Sequence, residues 1–275
     1  MVKLIVDLTL VLPEVFYMLS LKKITAAAVS CFILAGITAG CGNDDKSSSV
    51  KVDPDSVMNY TAPEKDEEII VMTVKDYGEI KIKLFPELCS KGVENFVTHA
   101  KDGYYDGLIF HRVIEDFMIQ GGDPTGTGMG GESIWGEKFD GGVTPALYHF
   151  TGALAYANSG STSTNGSQFY IVSGPDSYDD ATAQQYTSAY SQKGIKVPQE
   201  AVDNYKKYGG AWHLDGLSGN YTVFGQVFDG LDIVEEISKT ATDQSDRPQE
   251  DVVIEKVSVE KYDGEDVKFF LSDYE

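Results

Sequence analysis

Apolar and polar positions along the chain fall into short, regular runs from Glu68 to Tyr262. Ile70, Met72 and Val74 alternate, Lys75-Asp76-Tyr77-Gly78 supplies a turn, and Ile80, Ile82 and Leu84 then alternate with Lys81 and Lys83. A period of two on each side of a turn predicts a β-hairpin with one buried face. Val93, Phe96, Val97 and Ala100 recur at helical spacing between Pro86 and Gly103, which predicts a short amphipathic helix. Further apolar runs at 108–119, 152–157, 168–172, 222–227 and 252–259 are separated by glycine-rich turns and predict strands. Leu231, Val234 and Ile237 mark a second short helix. Many short strands with two helices predict a mainly β domain over 68–262, a closed or nearly closed barrel that removes exposed sheet edges.

Two segments break this rhythm. Residues 175–210 are polar and Tyr-rich, and Val197-Pro198-Gln199-Glu200 opens a helix-like stretch with Ala201, Val202, Tyr205 and Tyr208 on one face, stopped by Gly209-Gly210. This reads as an insertion carrying its own helix, too long for an ordinary connection and either a functional loop or a decoration on the barrel. Residues 1–40 read as an export signal. Lys22 and Lys23 precede an apolar stretch from Ile24 to Ala39, too short for a comfortable membrane span, which ends in Thr38-Ala39-Gly40-Cys41. Small residues before a cysteine form a lipoprotein-type cleavage site, although Thr38 stands where such sites usually carry Leu. Cys41 is the expected lipidation site, and the mature chain is expected to be exported and membrane-anchored. Residues 1–17 lie upstream of a better-placed start at Met18 and read as an over-extended start. A polar, acidic stretch from Cys41 to Glu67 reads as a flexible linker, and 263–275 as a C-terminal tail.

Composition narrows the possibilities further. The chain has 275 residues, 42% hydrophobic and 11% aromatic, enough for one sizeable core and too apolar for disorder throughout. Acidic residues outnumber basic ones by 43 to 22, giving a net charge of −21 that repels phosphate backbones. No basic patch or nucleic-acid motif offsets it, so no nucleic-acid partner is expected. His99, His111, His149 and His213 lack ligand spacing, and the Gly121–Gly131 stretch lacks the Lys-Ser/Thr of a phosphate loop, so neither a metal nor a cofactor is expected. With Cys41 lipidated, Cys89 has no partner, so no disulfide is expected and Cys89 reads as a helix-surface or packing residue. The absence of a large apolar surface run points to a monomer.

The chemistry-bearing residues are weak singly and specific together. Gly103-Tyr104-Tyr105-Asp106-Gly107, Phe110-His111-Arg112, Phe117-Met118-Ile119-Gln120-Gly121-Gly122-Asp123, Asn165-Gly166-Ser167-Gln168-Phe169 and Val223-Phe224-Gly225 follow the first helix in order. The arrangement resembles the cyclophilin-type peptidyl-prolyl cis-trans isomerases over most of 68–262, apart from the insertion. The resemblance implies an eight-stranded antiparallel barrel capped by two α-helices, with a filled interior and an active groove on its outer face. It implies that Arg112 is catalytic and that Phe117, Met118, Tyr170 and Leu214 line a proline pocket. Gln120, Ala157, Asn158 and Gln168 would follow the groove, with His213 at its rim and Tyr221 beside it.

The implied partners are proline-containing polypeptides, held at the flanking peptide by the amides of Gln120 and Asn158. Tyr170 stands where the family usually has Phe, His213 where cyclosporin-sensitive eukaryotic members have Trp, and Tyr221 where that group has His. The alternative is a proline-peptide-binding chaperone or adaptor with little turnover. Retention of the cation beside the apolar pocket favours catalysis over binding alone.

Overall fold

The predicted hairpin is present as β1 (Glu68–Val74) and β2 (Gly78–Leu84), paired with Ile70 opposite Ile82 and Met72 opposite Ile80. All four of these side chains are fully buried. The computed structural model describes residues 56–175, 177–215 and 220–275. The export signal, the over-extended start and Cys41 lie outside the described residues.

Six further strands complete one sheet: β3 (Arg112–Ile114), β4 (Met118–Gly121), β5 (Ala153–Tyr156), β6 (Phe169–Val172), β7 (Val223–Asp229) and β8 (Ile254–Lys261). Their order is β3-β4-β6-β5-β7-β2-β1-β8, and every pairing is antiparallel. The sheet curls into a half-barrel. Its edge strands β3 and β8 are not laddered together. Instead, an antiparallel bridge between Ile109 and Val253 ties the segments just before them, with Phe110 N–H donating to Val252 O at 3.0 Å and Ile254 N–H to Leu108 O at 2.8 Å. These bonds satisfy backbone groups that an open edge would leave bare.

Helix α1 (Ser90–Lys101) buries Val93, Phe96 and Ala100, as its apolar spacing predicts, and the Phe96 ring lies 4.8 Å from Tyr105 and 5.4 Å from both Phe169 and Phe224. It packs against β8. Cys89, at its N-terminus, is buried with Sγ donating to Val223 O, and burial pushes its thiol up to about 12. It is a packing residue. The insertion carries two helices, α2 (Asp180–Gln192) and α3 (Gln199–Tyr208), where the sequence pattern predicts one. The apolar face of α2 is only Ala183, Tyr186 and Tyr190, too sparse to register as an amphipathic repeat, although Asp179 caps its N-terminus by accepting from Thr182 N–H. The last helix, α4 (Leu231–Ser238), packs against β2, β3 and β4.

Three expectations are corrected here. The linker expected to be flexible through Glu67 is docked from residue 56 on: Asn59 is fully buried, donates to Tyr148 O and Gln226 Oε1, and accepts from Tyr148 N–H. Tyr60 lies among the rings of Phe150, Tyr208 and Phe270 at 4.9–5.6 Å. The segment at 263–275 is also packed. Phe269 is buried on the second face of β1 with Ile69, Val71 and Tyr262, so the hairpin has two covered faces at β1 rather than one. Tyr274 accepts from the N–H groups of Gly230 and Leu231 at 2.6 and 3.1 Å, satisfying two donors that open α4.

Candidate active site

Register places the site before any loop does. Arg112 on β3 is opposite Gln120 on β4, which is opposite Tyr170 on β6, which is opposite Ala155 on β5 and, through it, Val223 on β7. Side chains in a sheet alternate between faces, so this row shares one face, while the neighbouring row of Val113, Ile119, Ile171 and Leu154 fills the core on the other. A slip of one residue would exchange the two rows. The turn between β3 and β4 then adds Phe117, just after Asp116, whose φ of 56° puts the turn tip in the left-handed region that Asp tolerates.

The result is a pocket of about 140 Å³ lined by Arg112, Phe117, Met118, Gln120, Ala157, Asn158, Tyr170, Leu214 and Tyr221. Nine of the residues singled out from the sequence thus meet in one cavity. The other two adjoin it. Gln168 accepts from Gln120 Nε2 at 2.9 Å, and the His213 ring lies 5.4 Å from Phe117 at the rim. Trp212 turns the other way and packs 5.5 Å from Tyr186 of the insertion.

Arg112 is the only cation in the pocket lining, and its Nε lies 3.4 Å from Asp246 Oδ2 with both side chains about 40% exposed. An exposed pair of this kind orients the guanidinium more than it stabilises the fold. The spacing of 134 residues gives no sequence signal for the pairing.

Gln120 is fixed by a chain of contacts that starts at Asp123. Gln168 accepts from Gln120 and donates to the carbonyls of Gly128 and Gly130 at 3.0 and 2.8 Å. Those glycines sit in a loop wrapped around the Asp123 carboxylate, which accepts from Thr125 N–H and Oγ1 and from the N–H groups of Thr127, Gly128 and Gly130. Gly122, at φ +81°, lets this loop leave the strand, because a Cβ there would lie 2.5 Å from Ser167 O. Burial alone would raise the Asp123 carboxyl, but the bonds from Thr125, Gly130 and Gly128 outweigh it and hold it at about 2. Its ordinary value is 3.8, so its contribution to stability is fully present above that pH and is lost as pH falls towards 2. The difference in urea-unfolding stability between wild type and Asp123→Asn is therefore expected to be constant from neutral pH down to the upper end of that window. It should shrink below it, and a difference unchanged at pH 2 contradicts this assignment.

Asn158 does not present its side-chain amide as expected. Nδ2 already donates to Asn165 Oδ1 and Asn220 O at 3.0 and 2.6 Å, and Oδ1 accepts from Gly160 N–H. The side chain is therefore a brace for the loop. The Tyr170 hydroxyl is buried with no hydrogen-bond partner among the described residues, and burial, then Tyr221 and Asp215, push it well above the usual tyrosine range. It presents a neutral ring.

Sequence reasoning passed over Asp215 and His149, which form a buried network behind the rim. Asp215 follows the turn Trp212–Leu214 and accepts from His149 N–H at 2.8 Å and Tyr205 Oη at 2.5 Å, with His149 Nδ1 at 2.9 Å and Tyr186 Oη at 3.5 Å. Burial, and then the Asp215 charge, push Tyr205 well above the usual range, so its hydroxyl keeps its proton and donates.

Comparison with known proteins agrees with this geometry. The family model for "Cyclophilin type peptidyl-prolyl cis-trans isomerase/CLD" matches residues 69–259. A Staphylococcus aureus protein named "Putative peptidyl-prolyl cis-trans isomerase" is 48% identical over 194 residues, covering 70% of this chain and 93% of the relative. A Staphylococcus epidermidis protein of the same name is 45% identical over 197 residues, covering 72% and 94%. Among solved structures, a Cryptosporidium parvum cyclophilin type peptidyl-prolyl cis-trans isomerase in the presence of the dipeptide Ala-Pro is 32% identical. It has a TM-score of 0.52 and covers 70% of this chain and 99% of that one. A second crystal structure of the same Cryptosporidium parvum protein has a TM-score of 0.53 at 31% identity, covering 71% of this chain and 98% of that one. With its eight-stranded sheet and this pocket, the chain belongs to the cyclophilin-type peptidyl-prolyl cis-trans isomerases.

Proposed function

We propose that Arg112 catalyses rotation about X-Pro bonds by donating to the proline nitrogen, without a covalent intermediate. A planar amide resists rotation by about 18–20 kcal/mol because its nitrogen lone pair is delocalised. In the twisted state that lone pair is localised and accepts a hydrogen bond that the planar amide accepts poorly. A guanidinium beside it therefore binds the transition state better than the ground state. Phe117, Met118, Tyr170, Leu214 and Tyr221 hold the proline ring, and the oriented Gln120 amide holds the flanking peptide. The observation that carries this reading is the meeting of one cation with six apolar or aromatic side chains in a single pocket. The Ala-Pro dipeptide in the Cryptosporidium parvum structure supports proline-containing peptides as the ligand class.

The substrates are exported polypeptides at the cell envelope, and the enzyme is a monomer tethered there by a lipid on Cys41. Lys22-Lys23, the apolar stretch that follows and Thr38-Ala39-Gly40-Cys41 support this placement. The test uses membranes from cells making the full chain, added to a denatured protein whose slow refolding phase is X-Pro isomerisation. Wild-type membranes are expected to accelerate that phase, and membranes from Cys41→Ser cells to lose the effect to the soluble fraction. An unchanged slow phase contradicts the enzymatic role, and activity that stays in Cys41→Ser membranes contradicts the anchor.

A further inference from the structure

Behind the proline pocket lies a second cavity, of about 240 Å³, that the insertion builds against the sheet. Its apolar walls are Val143 and Leu147 from the segment after Asp140, Ile195 and Val197 from the α2–α3 connection, and Tyr221. Tyr221 also lines the proline pocket, so the two cavities adjoin at this residue. That ring stands 6.1 Å from Tyr170, which lines the proline pocket, and 6.4 Å from His149, which lines the second cavity, and those two rings lie 6.1 Å from each other, so the three together form the wall common to both.

Two further observations bear on what the cavity takes. Only four large apolar side chains among the described residues are strongly exposed, and two of them, Val143 at 53% and Ile195 at 38%, line this cavity as its exposed lips. The lining holds two charged residues: Asp215 already accepts from His149 and Tyr205 and is 5% exposed, so it presents little charge to an occupant, and Lys196, between Ile195 and Val197, is exposed, its long aliphatic chain able to keep the ammonium in water. Apolar lips over an apolar cavity favour an apolar occupant, because burying it removes both surfaces from water.

We infer that this cavity is a specificity subsite for a bulky aliphatic side chain of the same polypeptide whose proline occupies the Arg112 pocket, two residues from that proline. The spacing follows from this common wall: two residues of extended chain advance about 7 Å, which carries a side chain across it. A cavity of this size accommodates a Leu side chain, and a Gly leaves it empty. The inference rests on the assignment of the proline pocket, and the test separates the two.

Peptides with a central Ala-Pro are made with Leu or Gly at the second residue before the proline, and likewise at the second residue after it. Their affinities for the full chain are measured by titration calorimetry. Burial of the Leu side chain is expected to make one of the two Leu peptides bind about tenfold tighter than its Gly counterpart. Ile195→Asp and Val143→Asp place a charge on either lip at exposed positions the fold tolerates, and each is expected to reduce that ratio to about twofold or less. Leu and Gly peptides of equal affinity in both placements would overturn the subsite, as would a preference that survives both substitutions. Cis-trans exchange of the same peptides is followed by NMR in parallel. A Leu preference without accelerated exchange keeps the subsite and refutes the isomerase mechanism, whereas accelerated exchange without a Leu preference does the reverse.

Discussion

Replacing Arg112 by Ala is expected to lower kcat/KM for X-Pro peptides about a hundredfold while leaving the fold intact. Acceleration by about five decades requires roughly 7 kcal/mol of preferential transition-state binding. One charge-assisted hydrogen bond supplies about 1.5–3 kcal/mol of that, and the remainder comes from holding the ring and the flanking peptide. The variant therefore keeps measurable activity. Because the guanidinium is 41% exposed and its ion pair with Asp246 lies at the surface, its removal leaves no buried charge and little change in stability. Arg112→Lys is expected to recover only part of the loss, since an ammonium lacks the planar fork that Asp246 orients. A drop of less than threefold for Arg112→Ala, with full stability, would remove Arg112 from the mechanism.

Asp215→Ala is the second large effect, and it acts on stability. The carboxylate is 5% exposed and joins three parts of the chain: the segment carrying His149, the turn carrying His213 and Leu214, and the insertion through Tyr186 and Tyr205. Truncating it strands the His149 N–H, the His149 ring and the Tyr205 hydroxyl in a buried site. Breaking a buried, fully bonded charge in this way costs about 3–5 kcal/mol. The loss is read from urea unfolding, and KM for X-Pro peptides is expected to rise with it, because Leu214 is no longer held against the pocket. Asp215→Asn keeps the volume and part of the bonding and should lose less. A loss below about 1 kcal/mol for the alanine variant would show that the insertion packs independently of this network.

The hairpin, α1, α4 and the runs that form β5 to β8 were legible because each is a local pattern, such as period two around Lys75–Gly78 and helical spacing at Val93–Ala100 and at Leu231–Ile237, whereas the single run at 108–119 divides into β3 and β4 about a turn. The lining of the pocket was legible through the family resemblance, since no periodicity in the sequence brings Arg112 beside Tyr170 or Leu214. What escaped lies in long-range pairings of polar residues. Asn59 looks like linker, yet its amide bonds reach residues 89 and 167 positions away and bury it. Asp246 and Asp215 read as surface acids in a chain with 43 acidic residues, and only the folded chain shows one beside the guanidinium and the other buried behind the rim. The tyrosines of α2 offered too thin an apolar face for a helical repeat, and the rings that Tyr186 packs against outside the helix, Tyr205 and Trp212, are supplied from elsewhere in the chain. Asp123 differs from these acids in carrying a local signal, one that the pattern of apolar runs passes over. A carboxylate followed by a glycine- and threonine-rich stretch is the pattern of a side chain capping free N–H groups, and it does so here.

NMR exchange of an Ala-Pro peptide at equilibrium, with the full chain present in catalytic amount, decides between catalysis at Arg112 and binding alone. The bare peptide interconverts in tens of seconds or longer. Wild type is expected to give exchange cross-peaks between cis and trans resonances at mixing times well under a second, and Arg112→Ala to lose most of them. Peptide resonances that shift on binding while exchange stays at the bare rate would contradict catalysis at Arg112 and leave a proline-binding groove without turnover.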